Sequence, residues 1–160
     1  MSSQGNAGVE KISALLRADR IKLSLESRTK NASVREVGAL LRDTGAVMDF
    51  DVFMREVFDR ERLANTALGH EVAIPHARTE QCQEIVIAVG RSLEGIDFEA
   101  KDGVPVRLIF LIGVPKRMIT EYLKLASNLS RWLRDDDLRQ RLLEADTPQR
   151  FIQAWVDIES

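Results

Sequence analysis

The chain has 160 residues, 44% hydrophobic and 30% charged, with 23 basic against 25 acidic side chains and a net charge of −2. That length suits one domain with a sizeable core, and the even charge balance without a basic stripe leaves no electrostatic case for nucleic acid as a partner. The longest apolar run, Leu108 to Val114, falls far short of the about 20 residues a bilayer-spanning helix needs, so no direct membrane insertion is expected.

Residues 1–10 read as a flexible tail ahead of a single domain at 11–158; Met1 to Gly8 are rich in Ser, Gln, Gly, Asn and Ala. They lack the basic-then-apolar order of a signal peptide, and the lone cysteine, Cys82, excludes an internal disulfide. A cytoplasmic location is the default expectation.

In chain order, Ile21 to Leu25 alternates apolar and polar residues, the pattern of a half-buried strand. Ser33 and Glu36 have capping-box spacing, which predicts a helix carrying Val34, Val37, Leu40 and Leu41 on one face and ending before Gly45. Phe50, Phe53, Met54, Val57 and Phe58 form a continuous helical stripe. Val72 to Ile74 is a short strand candidate stopped by Pro75, and Ile85 to Val89 and Val106 to Val114 read as buried strands. Ile119, Tyr122, Leu123, Ala126, Leu129 and Leu133 share another helical stripe, and Thr147-Pro148 supplies an N-cap and N1 proline for a closing helix. The order predicts a layered α/β domain with a mixed sheet of about five strands flanked by helices.

The only two histidines are His70 and His76. His76 follows a proline at the end of a predicted strand, a place where α/β domains carry reactive groups. Neutral imidazole is a competent nucleophile for reversible phosphoryl transfer; an ordinary loop histidine is the plainer reading of the same residue. His70, His76 and Cys82 match no compact zinc-ligand spacing, so no metal or other cofactor is expected. No glycine-rich phosphate loop occurs, since Gly69 and Gly103 are isolated.

Arg60-Glu61, Thr66, Leu68-Gly69 and Val72-Ala73-Ile74-Pro75-His76-Ala77-Arg78 together resemble the phosphorylation-site signature of phosphotransferase-system enzyme IIA domains of type 2, the fructose/mannitol/nitrogen-regulatory class. The similarity runs from about Ile12 to Val156. It implies a mixed α/β sandwich that acts as a phosphoryl carrier of the bacterial phosphoenolpyruvate-dependent system. By that resemblance, His76 accepts the group from an HPr-like phosphocarrier as a tele-phosphohistidine and passes it to an enzyme IIB domain or uses it as a regulatory mark. Arg60 would then neutralise charge on the phosphoryl oxygens, and Thr66 would donate a hydrogen bond near the site or shape its loop.

Two positions depart from the family pattern. Tyr122 occupies the place of the usual second active-site histidine, and His70 stands where mannitol-type members carry an acidic residue. Tyr122 is expected either to donate to a phosphoryl oxygen or to pack at the core edge, and His70 either to compensate for the missing imidazole or to be a solvent-facing loop residue. Leu68, Val72 and Ile74 are candidates for an apolar partner surface around His76. The alternatives to a transport carrier are a regulator of the nitrogen-phosphotransferase kind, whose partner is a regulated target protein, and an interaction module in which His76 is never phosphorylated.

Overall fold

The computed structural model describes residues 11–160; the tail expected at 1–10 lies outside the described residues. Helices α1 (Ile12–Leu15), α2 (Lys30–Gly38), α3 (Phe50–Leu63), α4 (Ile119–Trp132), α5 (Asp136–Glu144) and α6 (Pro148–Glu159) surround a six-stranded sheet. Its strands are β1 (Ile21–Lys22), β2 (Ala67–Gly69), β3 (Val72–Ala73), β4 (His76–Thr79), β5 (Val86–Ile96) and β6 (Val106–Pro115), one more than the sequence suggested.

The sheet is mixed, as expected. Its order is β1-β5-β6-β3-β2, with β4 also paired to β6; β5 and β6 run antiparallel, whereas β1 on β5 and both β3 and β4 on β6 run parallel. Period-two alternation along β6 divides the core. Leu108, Phe110, Ile112 and Val114 join Leu125, Leu129, Phe151 and Trp155 on one face. Ile109 and Leu111 join Val34, Val37, Phe53, Met54 and Val57 on the other. Helices therefore cover both sides, and β5 and β6 are buried on both faces, which is why they read as continuous apolar runs.

The helix stripes hold, except that Ile119 and Leu123 of the α4 stripe are exposed, and one helix start needs correction. Asp49 caps α3 by accepting from the Val52 amide, and Thr147 caps α6 through the Arg150 amide. The Ser33/Glu36 capping box, however, does not form. Helix α2 starts at Lys30 with Thr29 as its cap, and Ser33 is buried inside the helix, donating to the Lys30 carbonyl. The Glu36 carboxylate instead reaches out to the Glu26 and Ser27 amides and to Lys22 at 2.8 Å. A long-range partner for the glutamate outweighed the local one. No helix among the described residues is long and apolar enough to cross a membrane.

Candidate functional site

The site grows from one interruption in the sheet. Pro75 has no N–H to give a ladder, and it separates β3 from β4 although both strands pair with β6 in one continuous register, Val72 opposite Leu108 and His76 opposite Ile112. At the break, Ile74 turns its backbone groups away from β6. Its N–H donates to the Thr66 carbonyl at 3.0 Å, and its carbonyl accepts from His76 Nδ1 at 2.9 Å. His76 therefore opens a strand, where the sequence had suggested only that it follows the end of one. It lies opposite Ile112, on the α4 face, and is only 7% exposed.

A carbonyl can only accept, so Nδ1 carries the proton and the lone pair of the neutral ring sits on Nε2. Burial holds the His76 pKa below its ordinary value, and the Arg60 charge pushes the same way, against the Ile74 carbonyl and Glu61. The neutral imidazole consequently prevails near neutral pH. Tyr122, on α4, places its hydroxyl 3.0 Å from Nε2, with the two rings 4.8 Å apart between centroids. Burial raises the phenol's pKa, so it stays protonated and donates to that lone pair. Both ring nitrogens of His76 are thereby satisfied in the resting protein.

Arg60 stands in the last turn of α3 and donates to the Ala64 carbonyl at 3.0 Å, just past the helix end. Its charge is felt by both His76 and Tyr122. A cation in this place also suits the carbonyl end of the helix. Thr66 is buried, and its hydroxyl and amide both donate to the Glu61 carboxylate. Its only hydroxyl proton is committed there, so of the two roles expected for Thr66 the geometry favours shaping the loop. Glu61 itself, also paired with Lys30 at 2.9 Å, was not singled out from sequence. The signal was present, because its neighbour in the Arg-Glu pair was recognised.

His70 is not brought to His76. It occupies, with Glu71, the two-residue turn between β2 and β3, where both residues have positive φ (54° and 71°), as a type I′ hairpin requires. Its amide donates to Asp102 at 2.9 Å, and its side chain is exposed. From there to His76 the chain runs along β3 and β4 for six residues, roughly 15–20 Å. Compensation for a missing imidazole is excluded by that separation. Asparagine tolerates left-handed backbone better than histidine, so His70→Asn is expected to raise the melting temperature by about 1–3 °C without changing any chemistry at His76. Thermal unfolding monitored by circular dichroism checks this, and a fall in melting temperature would contradict it.

Of the residues proposed for an apolar partner surface, Val72 and Ile74 are core residues, and only Leu68 is exposed, on the β2 hairpin. The exposed apolar side chains on the helix of Tyr122 are Ile119 and Leu123. Cys82 is buried, its thiol pushed up to about 12 by burial. Among the described residues no group of three His, Cys, Asp or Glu side chains could hold a metal ion.

Comparison with known proteins gives the geometry its context. Residues 14–155 match the family described as "Phosphoenolpyruvate-dependent sugar phosphotransferase system, EIIA 2". The chain is 37% identical over 141 residues to a fructose-specific EIIA component of Haloferax volcanii, covering 88% of this chain and 92% of that one. It is 34% identical over 142 residues to the fructose-specific EIIABC component of Bacillus subtilis, covering 89% of this chain but spanning only 22% of that longer protein. Among solved structures, the nitrogen regulatory protein IIA-Ntr of Neisseria meningitidis superposes with a TM-score of 0.83 at 30% identity, covering 90% of this chain and 98% of the other. The mannitol IIA of Escherichia coli superposes with a TM-score of 0.74 at 25% identity over 88% of this chain and 98% of the other.

Proposed function

The chain belongs to the EIIA 2 family of the phosphoenolpyruvate-dependent sugar phosphotransferase system, and from that premise we propose that His76 Nε2 is the atom that carries the phosphoryl group. The observation that carries this reading is the Nδ1–H bond to the Ile74 carbonyl, which leaves a single lone pair on a buried, neutral ring that feels the Arg60 charge. Nε2 attacks the phosphorus of the donor, the bond from phosphorus to the donor nitrogen breaks, and the electron pair leaves with the donor. The ring becomes an N-phosphoryl imidazolium whose Nδ1–H still points at Ile74. Arg60 supplies positive charge to the oxygens as charge accumulates on them. The donor is an HPr-like phosphocarrier and the acceptor an enzyme IIB domain, docking in turn on the face that exposes Ile119 and Leu123. These encounters belong to the cytoplasm.

Incubation with phosphoenolpyruvate, enzyme I and HPr is expected to add one phosphoryl group, with phosphorus coupled to the ring protons around Nε2 of His76. An uncharged chain in the presence of charged HPr, or phosphorus on another residue, would overturn the reading.

Tyr122 has a defined part in this step. Its hydroxyl must leave Nε2 before phosphorus arrives and can then donate to a phosphoryl oxygen. A bond to an anionic oxygen is stronger than one to a neutral ring nitrogen by about 1 kcal/mol, so Tyr122→Phe is expected to shift the phosphotransfer equilibrium about fivefold toward the donor. The same variant should raise the His76 pKa, because the lost bond favoured the neutral ring; histidine titration by NMR and the phosphorylated fraction at equilibrium check both signs.

A second reading is a regulatory mark, in which phosphorylation changes the binding of a target protein. The likeness to proteins named nitrogen regulatory protein, such as that of Pseudomonas aeruginosa at 29% identity over 150 residues, favours it. A phosphoryl group adds about −1.5 to −2 charges at a surface beside α4, enough to create or break an interface. Capture experiments with the charged and uncharged forms separate the readings: partners bound by one form only indicate regulation.

A further inference from the structure

Three buried or half-buried groups remain outside the transfer step: Glu61, Lys30 and the Thr66 hydroxyl. Glu61 is 9% exposed and Thr66 5%. Its carboxylate accepts from the Thr66 amide at 2.9 Å, from the Thr66 hydroxyl and from Lys30 Nζ at 2.9 Å. Thr66 in turn offers its carbonyl to the Ile74 N–H at 3.0 Å, and the carbonyl of the same Ile74 holds His76 Nδ1–H at 2.9 Å. The contacts form an unbroken series from the end of α3 to the imidazole. Every link is a directional hydrogen bond; Thr66 precedes β2, and Ile74 lies between Ala73, which pairs with Ile109 of β6, and Pro75, whose carbonyl accepts from the Ile112 amide.

We propose that Glu61 is a positioning residue: through Thr66 and Ile74 it aims the carbonyl that fixes His76 as the Nδ1–H tautomer, and so decides that Nε2 is the phosphorylated nitrogen. This rests on the phosphoryl-carrier reading for its functional consequence, but its structural half stands without it. Lys30, capped beneath by the Phe98 ring at 5.5 Å, neutralises the carboxylate and does not touch the series beyond it. Glu61 Oε1 meets the Thr66 hydroxyl, and Oε2 meets both the Thr66 amide and Lys30. In Glu61→Gln an NH₂ group at the Oε2 place confronts two donors, and at the Oε1 place it makes the Thr66 hydroxyl turn round and accept. In both cases the charge that strengthens the bond to the Thr66 amide is gone, so the Thr66 loop and the Ile74 carbonyl are held less firmly.

The test is the ring ¹⁵N spectrum of His76 together with the single-turnover rate of phosphorylation from charged HPr, at a temperature well below the melting point of each variant. In the wild type Nδ1 is protonated. Glu61→Gln is expected to mix the tautomers and slow phosphorylation roughly three- to tenfold. Thr66→Val, which removes the hydroxyl contact and keeps the amide one, should give a smaller change of the same sign, and Thr66→Ser should behave as the wild type. Lys30→Met lowers stability but leaves both tautomer and rate unchanged. Wild-type ring signals and rate in Glu61→Gln overturn the proposal, as does tautomer mixing in Lys30→Met equal to that in Glu61→Gln. A wild-type protein that accepts no phosphoryl group would refute the carrier reading instead, and the spectra of the variants would still decide the positioning role.

Discussion

Replacing Arg60 by glutamine is expected to slow phosphorylation of His76 by about 10²–10³-fold while leaving the protein folded, the range seen when one preorganised donor to a developing anion is removed. The transferring phosphoryl group carries its charge on three oxygens, and the protein's contribution is to meet that charge with fixed positive groups. Arg60 suits that task because the Ala64 carbonyl restrains its guanidinium at the end of α3, so little reorganisation is needed when phosphorus arrives. Its charge also has a second effect. Burial first, and Arg60 in the same direction, keep the His76 pKa below its ordinary value. In the wild type the acid limb of the rate profile therefore lies below pH 6.5, the ordinary histidine value. Without Arg60 the pKa rises and the acid limb moves up with it, so the variant loses more activity at mildly acidic pH than at pH 8. Arg60→Lys restores part of the rate, since an ammonium supplies charge without the planar fork. Single-turnover rates from charged HPr between pH 5 and pH 8 measure both effects. A loss under threefold, or an unshifted acid limb, would mean that Arg60 serves only the helix end.

The second large effect concerns stability and lies far from His76. Arg91, in β5, is 6% exposed and has no carboxylate partner among the described residues. Its Nε donates to the Leu23 carbonyl at 3.0 Å, and one terminal nitrogen meets the carbonyls of Leu142, Leu143 and Ala145 at 2.8 to 3.0 Å. Those last three close the C-terminus of α5, where backbone acceptors lack intrahelical donors and the helix dipole favours a cation. One guanidinium thus ties β5 to the segment after β1 and to the end of α5. Arg91→Leu removes the donor and leaves buried carbonyls unpaired, at a cost of about 3–5 kcal/mol, or about 10 °C in melting temperature for a chain of this size. Arg91→Lys should retain part of that stability, because an ammonium reaches only some of the same acceptors. Denaturant unfolding with a common slope for the three proteins tests the ranking. A destabilisation below 1 kcal/mol in Arg91→Leu would show that water satisfies the α5 end. At temperatures where the variants are folded, phosphorylation of His76 should be unchanged.

Local patterns carried much of the architecture. The Phe50 to Phe58 stripe became α3, the Ile119 to Leu133 stripe became α4, and Thr147-Pro148 opened α6, because each depends on periodicity or on capping within a few residues. The apolar runs became β5 and β6 for the same reason. Helix α5 carries no legible stripe, since its buried face rests on Leu138 and Leu142 among nine mostly charged residues. The Ser33/Glu36 box was misread because nothing local shows that Glu36 has distant amides and Lys22 to bind.

The site divides along the same line. By itself the sequence determined that an imidazole follows Pro75, that an Arg-Glu pair precedes it, and that the whole belongs to one family pattern, because residue type and spacing are properties of the chain. The tertiary structure decided how those residues are placed. It made His76 the first residue of a parallel strand, set Tyr122 against Nε2 from a helix far along the chain, and removed His70 to a hairpin turn. It also buried Val72 and Ile74, leaving Leu68 exposed on the β2 hairpin and Ile119 and Leu123 exposed on the helix that carries Tyr122. Protonation state, tautomer and which lone pair is free depend on burial and on partners distant in sequence. They exist only once the sheet and α4 have come together around the ring.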